Sequence, residues 1–128
     1  MEENEILERY KPPTHLKKIG KDTWIRIWSI LEKEEKAEHN DPIAVEMVAY
    51  NFQLYNEIVK EIKRDGLTIK HTNKAKETNK LKHPLLSELP KTMDQLRKYL
   101  GELGLTGASR KRLQENLENG MGDDFDNF

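Results

Sequence analysis

The fold is decided by the segment Asn40-Asp-Pro-Ile-Ala-Val-Glu-Met-Val-Ala-Tyr-Asn-Phe-Gln-Leu-Tyr-Asn-Glu-Ile-Val-Lys-Glu-Ile-Lys-Arg-Asp-Gly66, which carries both ends of one long helix. Asp41 is a good N-cap, and Pro42 fits the first helical position, where no backbone N–H is needed. Gly66 is a common C-terminal stop. Because apolar residues cover more than one face between these ends, the helix is expected to be buried on most sides. It is a central helix, a subunit interface, or both.

A second helix is predicted upstream, with Thr14 as its cap and the charged run at 32–36 as its end. The residues at helical spacing are Leu16, Ile19, Thr23 or Trp24, Ile27, Trp28 and Leu31. The tryptophans lie on one helical face and are predicted to anchor the core. Gly20 weakens the first half of this helix by about 1 kcal/mol relative to alanine.

A third helix is predicted after Pro84, where apolar residues repeat at spacings of three and four, as in a coiled coil. They are Leu86, Leu89, Met93, Leu96, Leu100 and Leu103. Pro90 either kinks this helix or marks its start, and Gly104 ends it. Thr106 caps a further short helix that carries Leu113 and Leu117. Three to four helices without a convincing sheet predict an all-α fold with a long central helix.

The remaining segments are predicted to be flexible or extended. Pro12-Pro13 stops any helix from running through, so residues 1–13 are interpreted as a flexible N-terminal arm. Residues 67–72 alternate apolar and polar side chains, which fits a short strand or an extended segment. The lysine-rich residues 73–83 are interpreted as a mobile basic loop, and residues 119–128 as a flexible acidic tail.

The composition limits the class of protein. With 128 residues, 35% of them charged, and a mean hydropathy of −0.90, the chain makes one small domain with a modest core. Such a core gains from packing against further copies, which favours a homo-oligomer. The absence of cysteine excludes disulfides and Cys-type metal sites. No apolar run approaches membrane-spanning length and the acidic N-terminus is unlike a secretory signal, so a cytoplasmic protein without membrane contact is expected.

No group of residues predicts catalysis. The histidines His15, His39, His71 and His83 are scattered without metal-ligand spacing, and no glycine-rich phosphate loop is present. Carboxylates occur in runs such as residues 32–35, which are typical of a solvated helix face. We therefore expect neither an enzyme nor a protein that needs a metal or a cofactor.

Three clusters of basic residues are candidates for nucleic-acid contact. Because the formal net charge is −1, such contact depends on locally segregated charge. Eight basic residues against three acidic ones between positions 60 and 82 show such segregation. Each contact with a phosphate adds salt-dependent affinity, and the alternative for every cluster is an ordinary solvated surface. The candidates are Lys17, Lys18, Lys21 and Arg26 in the tryptophan-bearing helix, Lys70, Lys74, Lys76, Lys80 and Lys82 around the basic loop, and Arg110, Lys111 and Arg112 near the C-terminus.

The corner Glu102-Leu-Gly-Leu-Thr-Gly-Ala-Ser-Arg110 resembles a motif of a known family. The family is the small subunit of tailed-phage terminases, in the branch with a Leu-Gly-Leu-Thr-Pro-Ala-Ser-Arg-type corner. The resemblance extends over roughly residues 16–117 and includes Asp65-Gly66-Leu67 and His83-Pro84-Leu85. The family usually has proline at the position of Gly107, and Asn-Pro at the position of His83-Pro84.

This resemblance implies a ring-like homo-oligomer in the cytoplasm of an infected bacterium. It implies recognition of viral double-stranded DNA and loading and regulation of the terminase large subunit, which holds the ATPase and the nuclease. Residues 14–118 are then a helical oligomerisation and DNA-recognition domain, and Phe125 and Phe128 of the tail are candidates for partner contact. The candidates for subunit contact are Phe52, Tyr55, Val59, Leu89, Met93, Leu96 and Leu100. Two alternatives stay open, a small helical DNA-binding transcriptional regulator and a helical adaptor that binds only protein.

Overall fold

The computed structural model describes residues 2–76 and 78–105. The elements in this part of the chain are α1 (Glu3–Arg9), α2 (Lys18–Lys33), a 3-10 turn (Ala37–His39), α3 (Pro42–Asp65), β1 (Thr68–Thr72), β2 (Thr78–Lys82), a second 3-10 turn (Pro84–Leu86) and α4 (Glu88–Glu102). The fold is mostly helical but includes a two-stranded sheet, which corrects the all-α prediction. The predicted short helix after Thr106 and the acidic tail lie outside the described residues.

The central helix is α3, and both of its predicted ends are confirmed. The Asp41 Oδ1 atom accepts a hydrogen bond from the Ile43 N–H at 2.8 Å, as an N-cap should. At the other end Gly66 adopts a φ of 85°, and its N–H bonds the Ile62 carbonyl at 2.7 Å. Because α3 packs against both α2 and α4, its apolar sequence serves two interfaces within the chain.

The hydrophobic core lies between α2 and α3 and is closed by α1 and by the end of α4. Trp24 and Trp28 are 3% and 1% exposed, and their rings meet edge to face at 5.8 Å, so the predicted tryptophan anchor is confirmed. Each large apolar side chain buried in this way contributes about 1.5–3 kcal/mol to stability. The full core is Ile6, Leu16, Trp24, Ile27, Trp28, Ile30, Leu31, Ala44, Val45, Val48, Ala49, Leu103 and Leu105.

The N-terminal segment belongs to this core, and the flexible arm predicted for residues 1–13 is wrong. Helix α1 buries Ile6 completely. The Tyr10 ring stacks on Trp28 with centroids 3.9 Å apart, and the Tyr10 hydroxyl donates a hydrogen bond to the Glu32 carboxylate. Apolar burial and aromatic stacking outweigh the loss of chain entropy that favoured a free arm.

The start of α2 is fixed by a close approach to α3, later than the cap predicted at Thr14. The Lys17 N–H donates to the Gln53 Oε1 atom at 2.7 Å. A Cβ at Gly20 would lie 2.4 Å from this oxygen and 3.0 Å from the Leu16 side chain. The glycine that costs helix propensity is therefore required for the contact between the two helices.

Helices α2 and α4 end in similar corners that meet at one end of the domain. In α4 the Leu105 N–H bonds the Leu100 carbonyl at 2.7 Å across Gly104, whose φ is 74°. This is a Schellman motif, and it confirms the predicted helix end at Gly104. The α2 corner passes through Glu35 at a φ of 58°, and Lys36 Nζ reaches the Gly104 carbonyl at 3.4 Å.

Leu96, Leu100 and Leu103 of the predicted α4 seam lie in or against the core, but Met93 does not. The helix begins at Glu88, so Pro90 stands in its first turn, where a missing N–H breaks no helical bond. Thr92 is 5% exposed and its hydroxyl is satisfied by the Glu88 carbonyl at 3.0 Å, whereas Met93 is 43% exposed. Leu86 lies before α4, in the second 3-10 turn.

The segment predicted as a mobile basic loop, residues 73–83, is in large part a strand and its turn. β1 and β2 pair antiparallel from Thr68 opposite Lys82 to Thr72 opposite Thr78. The short strand considered for residues 67–72 is therefore confirmed.

We expect Gly20→Ala to destabilise the protein, although alanine is the better helix former by about 1 kcal/mol. The added methyl must displace the Gln53 side chain from the Lys17 N–H and push on Leu16. The expected net loss of unfolding free energy is about 1–2 kcal/mol, measured by urea denaturation. Lys21→Ala, on the exposed side of α2, is the control that should change little. Equal or higher stability for Gly20→Ala would show that this contact does not constrain the helix.

Candidate nucleic-acid interface

The hairpin formed by β1 and β2, here called the hairpin arm (residues 68–82), exposes both of its faces. Among its described residues only Ile69 and Asn73 are partly buried, and all others are exposed. Two-stranded hairpins of this kind have little stability of their own. The position of the arm therefore depends on the contacts at its root.

The strand register divides the side chains of the hairpin arm by charge. Because side chains alternate along each strand, residues paired across the sheet share a face. One face, here called the basic face, holds Lys70, Lys80 and Lys82 with Thr68, Thr72 and Thr78 between them. The opposite face holds Ile69, His71, Asn79 and Leu81. The Thr72 and Thr78 hydroxyls lie 3.3 Å apart, as this register requires. Neither strand contains an acidic residue.

Two further lysines lie at the tip of the hairpin arm. The Lys76 N–H bonds the Asn73 carbonyl at 3.0 Å, and the Ala75 N–H bonds the Asn73 side-chain oxygen at 3.0 Å, which shapes the turn. Lys74 and Lys76 are both exposed there. The structure thus brings all five lysines predicted around the basic loop onto one projecting element.

The root of the hairpin arm is fixed to α3 through His83, which is 6% exposed. Its N–H donates to the Leu67 carbonyl at 2.8 Å, and its Nδ1 atom accepts the Leu85 N–H at 3.1 Å. Since Nδ1 is an acceptor, the ring proton lies on Nε2, which donates to the Asp65 Oδ2 atom at 3.1 Å. One imidazole therefore joins the end of α3, the arm and the turn before α4.

The Asp65 carboxylate that accepts this bond is held in its charged form. The Arg64 side chain, with hydrogen bonds of 2.9 and 3.1 Å, and then His83 lower the pKa of Asp65 from its usual 3.8 to about 2. The root of the arm is thus a small network of one carboxylate between two donors. Sequence reasoning treated His83 as one scattered histidine and missed this network, because its partners lie elsewhere in the chain.

The basic cluster predicted in α2 does not form a uniform positive surface. Lys17, just before the helix, pairs with Glu57 of α3 at 2.9 Å. Lys18 and Lys21 are exposed, whereas Arg26 is half-buried. The structure therefore separates these four residues into different surroundings.

A shallow cleft beside α3 also carries mixed charge. It is lined by Lys17, Glu57, Lys60, Glu61 and Arg64. Arg64 bonds Glu61 at 2.5 Å in addition to its contact with Asp65, so much of the positive charge in the cleft is matched. A polyanion would compete with these carboxylates, which makes the cleft a weaker candidate than the hairpin arm.

The predicted subunit-contact residues lie in unequal surroundings. Leu96 and Leu100 pack against the core of their own chain, and Leu89 is partly buried. Phe52 and Tyr55 are partly buried with ring centroids 6.2 Å apart. Val59 and Met93 are 37% and 43% exposed.

The predicted subunit-contact residues leave out a second apolar surface on α3. Ile43 and Tyr50 are 64% and 40% exposed, and the partly buried Met47 and Leu54 complete a stripe along the helix. We call these four residues the outer stripe. Their spacing of four, three and four residues places them on one helical face and is the sequence signal that reveals it.

Other candidate features are not found or lie beyond the described residues. Within residues 2–76 and 78–105, no three His, Cys, Asp or Glu side chains gather as a metal site requires. In the same part of the chain no helix has the length and apolar character needed to cross a membrane. Arg110, Lys111, Arg112, Phe125 and Phe128 lie outside the described residues.

The comparison with known families decides the identity. Residues 20–119 match the family described as "Phage terminase, small subunit". The chain belongs to the phage terminase small-subunit family. This confirms the resemblance drawn from the sequence and gives the protein a role in phage genome packaging. The terminase small subunit has no match among curated proteins and none among solved structures.

His83 also caps the turn before α4. Its Nδ1 atom accepts the N–H of Leu85, two residues further on. An asparagine oxygen at an N-cap accepts the same kind of bond. His83 therefore supplies this cap and adds the bond to Asp65.

The lowered pKa of Asp65 predicts acid-sensitive stability. Since its folded-state pKa lies below the unfolded value, its contribution is complete above about pH 4 and is lost as pH falls toward 2. Asp65→Asn removes this contribution, so the difference in unfolding free energy between the parent and this variant should shrink between pH 5 and 2. Urea denaturation across this range measures it. Arg64→Gln removes the stronger hydrogen-bond donor to Asp65. In that background, the effect of Asp65→Asn on the unfolding free energy at pH 5 should be smaller than in the parent. A difference that stays constant with pH would contradict the assigned network.

Proposed function

We propose that this terminase small subunit recognises viral double-stranded DNA, and that it loads and regulates the large subunit during packaging. It acts in the cytoplasm of the infected bacterium and has no catalytic activity of its own. The observation that carries the proposal is the hairpin arm, which concentrates five lysines and one acidic residue in a protein of net charge −1. Family membership supplies the biological setting.

The distribution of ion pairs supports the arm as the DNA-contacting element. Within the described part of the chain, Arg9, Lys17 and Arg64 each pair with a carboxylate. None of the five arm lysines forms an ion pair with a described residue. A DNA phosphate that approaches the arm thus competes with no described carboxylate for these lysines.

Assembly into a homo-oligomeric ring fits the modest charge of a single arm. A few phosphate contacts give weak binding, but several arms held together bind in concert and raise the apparent affinity. The outer stripe of α3, together with Val59 and Met93, offers apolar surfaces that association can cover. We propose these surfaces as the subunit contacts, with the large subunit as a further partner.

The proposal predicts a native mass of many subunits and an increase in mass with duplex DNA at low salt. Native mass spectrometry at 50 and 200 mM salt measures both, because phosphate contacts weaken steeply over this range. A dimer that binds DNA would favour the transcriptional regulator. A protein that binds no duplex at any salt would favour the protein-only adaptor.

Substitution of exposed apolar residues locates the subunit contact. The double variant Ile43→Asp and Tyr50→Asp changes residues that are 64% and 40% exposed, so the fold should tolerate it. We expect it to lower the native mass, because buried unpaired carboxylates oppose association. The matched variant Lys21→Asp on α2 should keep the parent mass. An unchanged mass for the double variant would move the contact to Val59 and Met93.

A further inference from the structure

We propose that the basic face of the hairpin arm binds the phosphate backbone of duplex DNA, with Lys70, Lys80 and Lys82 as the contact residues. This inference rests on the proposed function and assigns its contact surface. It also assigns the kind of contact, which positions the DNA without reading its bases.

The geometry places three ammonium groups in one small area. Lys80 and Lys82 are two residues apart on one strand, which separates their Cα atoms by about 6.7 Å. Lys70 is directly opposite Lys80 in the register, with Cβ atoms about 5 Å apart. Each flexible lysine stem can direct its ammonium group to a different phosphate oxygen. The basic face is therefore suited to neighbouring phosphates on one backbone.

The pairing of Lys70 with Lys80 opposes folding. Like charges directly opposite each other destabilise a strand pair, and neither strand has an acidic residue to compensate. The arm also lacks a covered side that would repay this cost through burial. A phosphate between the two ammonium groups replaces the repulsion with attraction, so the arrangement is explained by a polyanionic ligand.

The residues between the lysines favour nucleic acid over a protein partner. Thr68, Thr72 and Thr78 are the other side chains on the basic face, and their hydroxyls can donate to phosphate oxygens. No apolar residue from either strand lies on that face, whereas protein interfaces have an apolar centre. The face has no planar Arg, Asn or Gln side chain for a bidentate contact with a base edge, whereas a lysine ammonium group binds phosphate as a point charge. We therefore assign to this face a contact with the phosphate backbone, which carries no sequence information.

The attachment of the arm fixes the orientation of the basic face relative to the helices. His83 joins the arm to Asp65 at the end of α3 and to the turn before α4. This root holds the basic face at a set orientation to the helices, so that copies of the chain in one assembly present their basic faces alike.

The test compares two full-length variants that each lose three positive charges. One carries Lys70→Gln, Lys80→Gln and Lys82→Gln, and the control carries Lys11→Gln, Lys33→Gln and Lys63→Gln, which are exposed and outside the arm. Fluorescence anisotropy with an arbitrary 30-base-pair duplex measures the association constant between about 50 and 200 mM salt. For the arm variant we expect the slope of log K against log salt to become shallower by about 2.7 per engaged arm. The control should keep the parent slope.

The outcomes separate this inference from the proposed function. If the parent binds no duplex, the proposed function fails and the inference fails with it. If the parent binds and the arm variant keeps the parent slope, or if both variants lose slope equally, only the inference fails. The triple variant Lys70→Arg, Lys80→Arg and Lys82→Arg should retain the slope, and the single variant Lys82→Gln should lose about 0.9. These two variants test the contact even if the triple glutamine variant disturbs the arm.

Discussion

The length of α3 constrains every other element of this domain. Its 24 residues span about 36 Å, whereas the 16 residues of α2 span about 24 Å. Lys17, at the start of α2, already meets Gln53 and Glu57. The last turns of α3 therefore extend beyond α2. The tryptophan core forms where the two helices overlap. The hairpin arm follows the C-terminal end of α3, which α2 does not cover.

The chain leaves this exposed end of α3 and returns to it with little disturbance of the helix packing. It departs through Gly66 and comes back at His83, whose N–H bonds the Leu67 carbonyl at 2.8 Å. α4 then packs along α3 toward the corner at Gly104. Because the arm is inserted between two helices that pack on each other, its strands serve no core. The strands therefore need few apolar residues for packing. They can contain more lysine than an element packed in a core would tolerate.

The sequence predicts those parts of the fold whose causes are local. The ends of α3 follow from Asp41 and Gly66, because a cap and a left-handed stop act within a few residues. Helix α1 was missed because its anchor is the contact of Tyr10 with Trp28, which no local pattern reveals. The burial of Thr92 beside an exposed Met93 was missed because the Thr92 hydroxyl is satisfied only through its bond to a helix carbonyl.

In the candidate site, too, the features with local causes were predicted, and those that depend on distant residues were missed. The lysines of the arm were predicted as a group, since their number is a property of composition. β2 was missed because Leu81 is its only apolar residue, so it has no alternation of its own. Its pairing depends on β1. Without the register, the lysines could not be assigned to one face, nor could His83 be linked to Asp65. Pairings between distant residues, rather than propensities, determine the site.

The separation of the arm from the helices makes the proposed DNA contact compatible with a net charge of −1. At physiological salt a charge is screened over about 8 Å, so a phosphate senses only the side chains near it. Carboxylates in the helical body, such as those paired with Arg9 and Lys17, lie outside the exposed strands. Among the described residues of the two strands, the charged side chains on the basic face are all lysines. The net charge therefore governs solubility, while the arm presents a local field of the opposite sign.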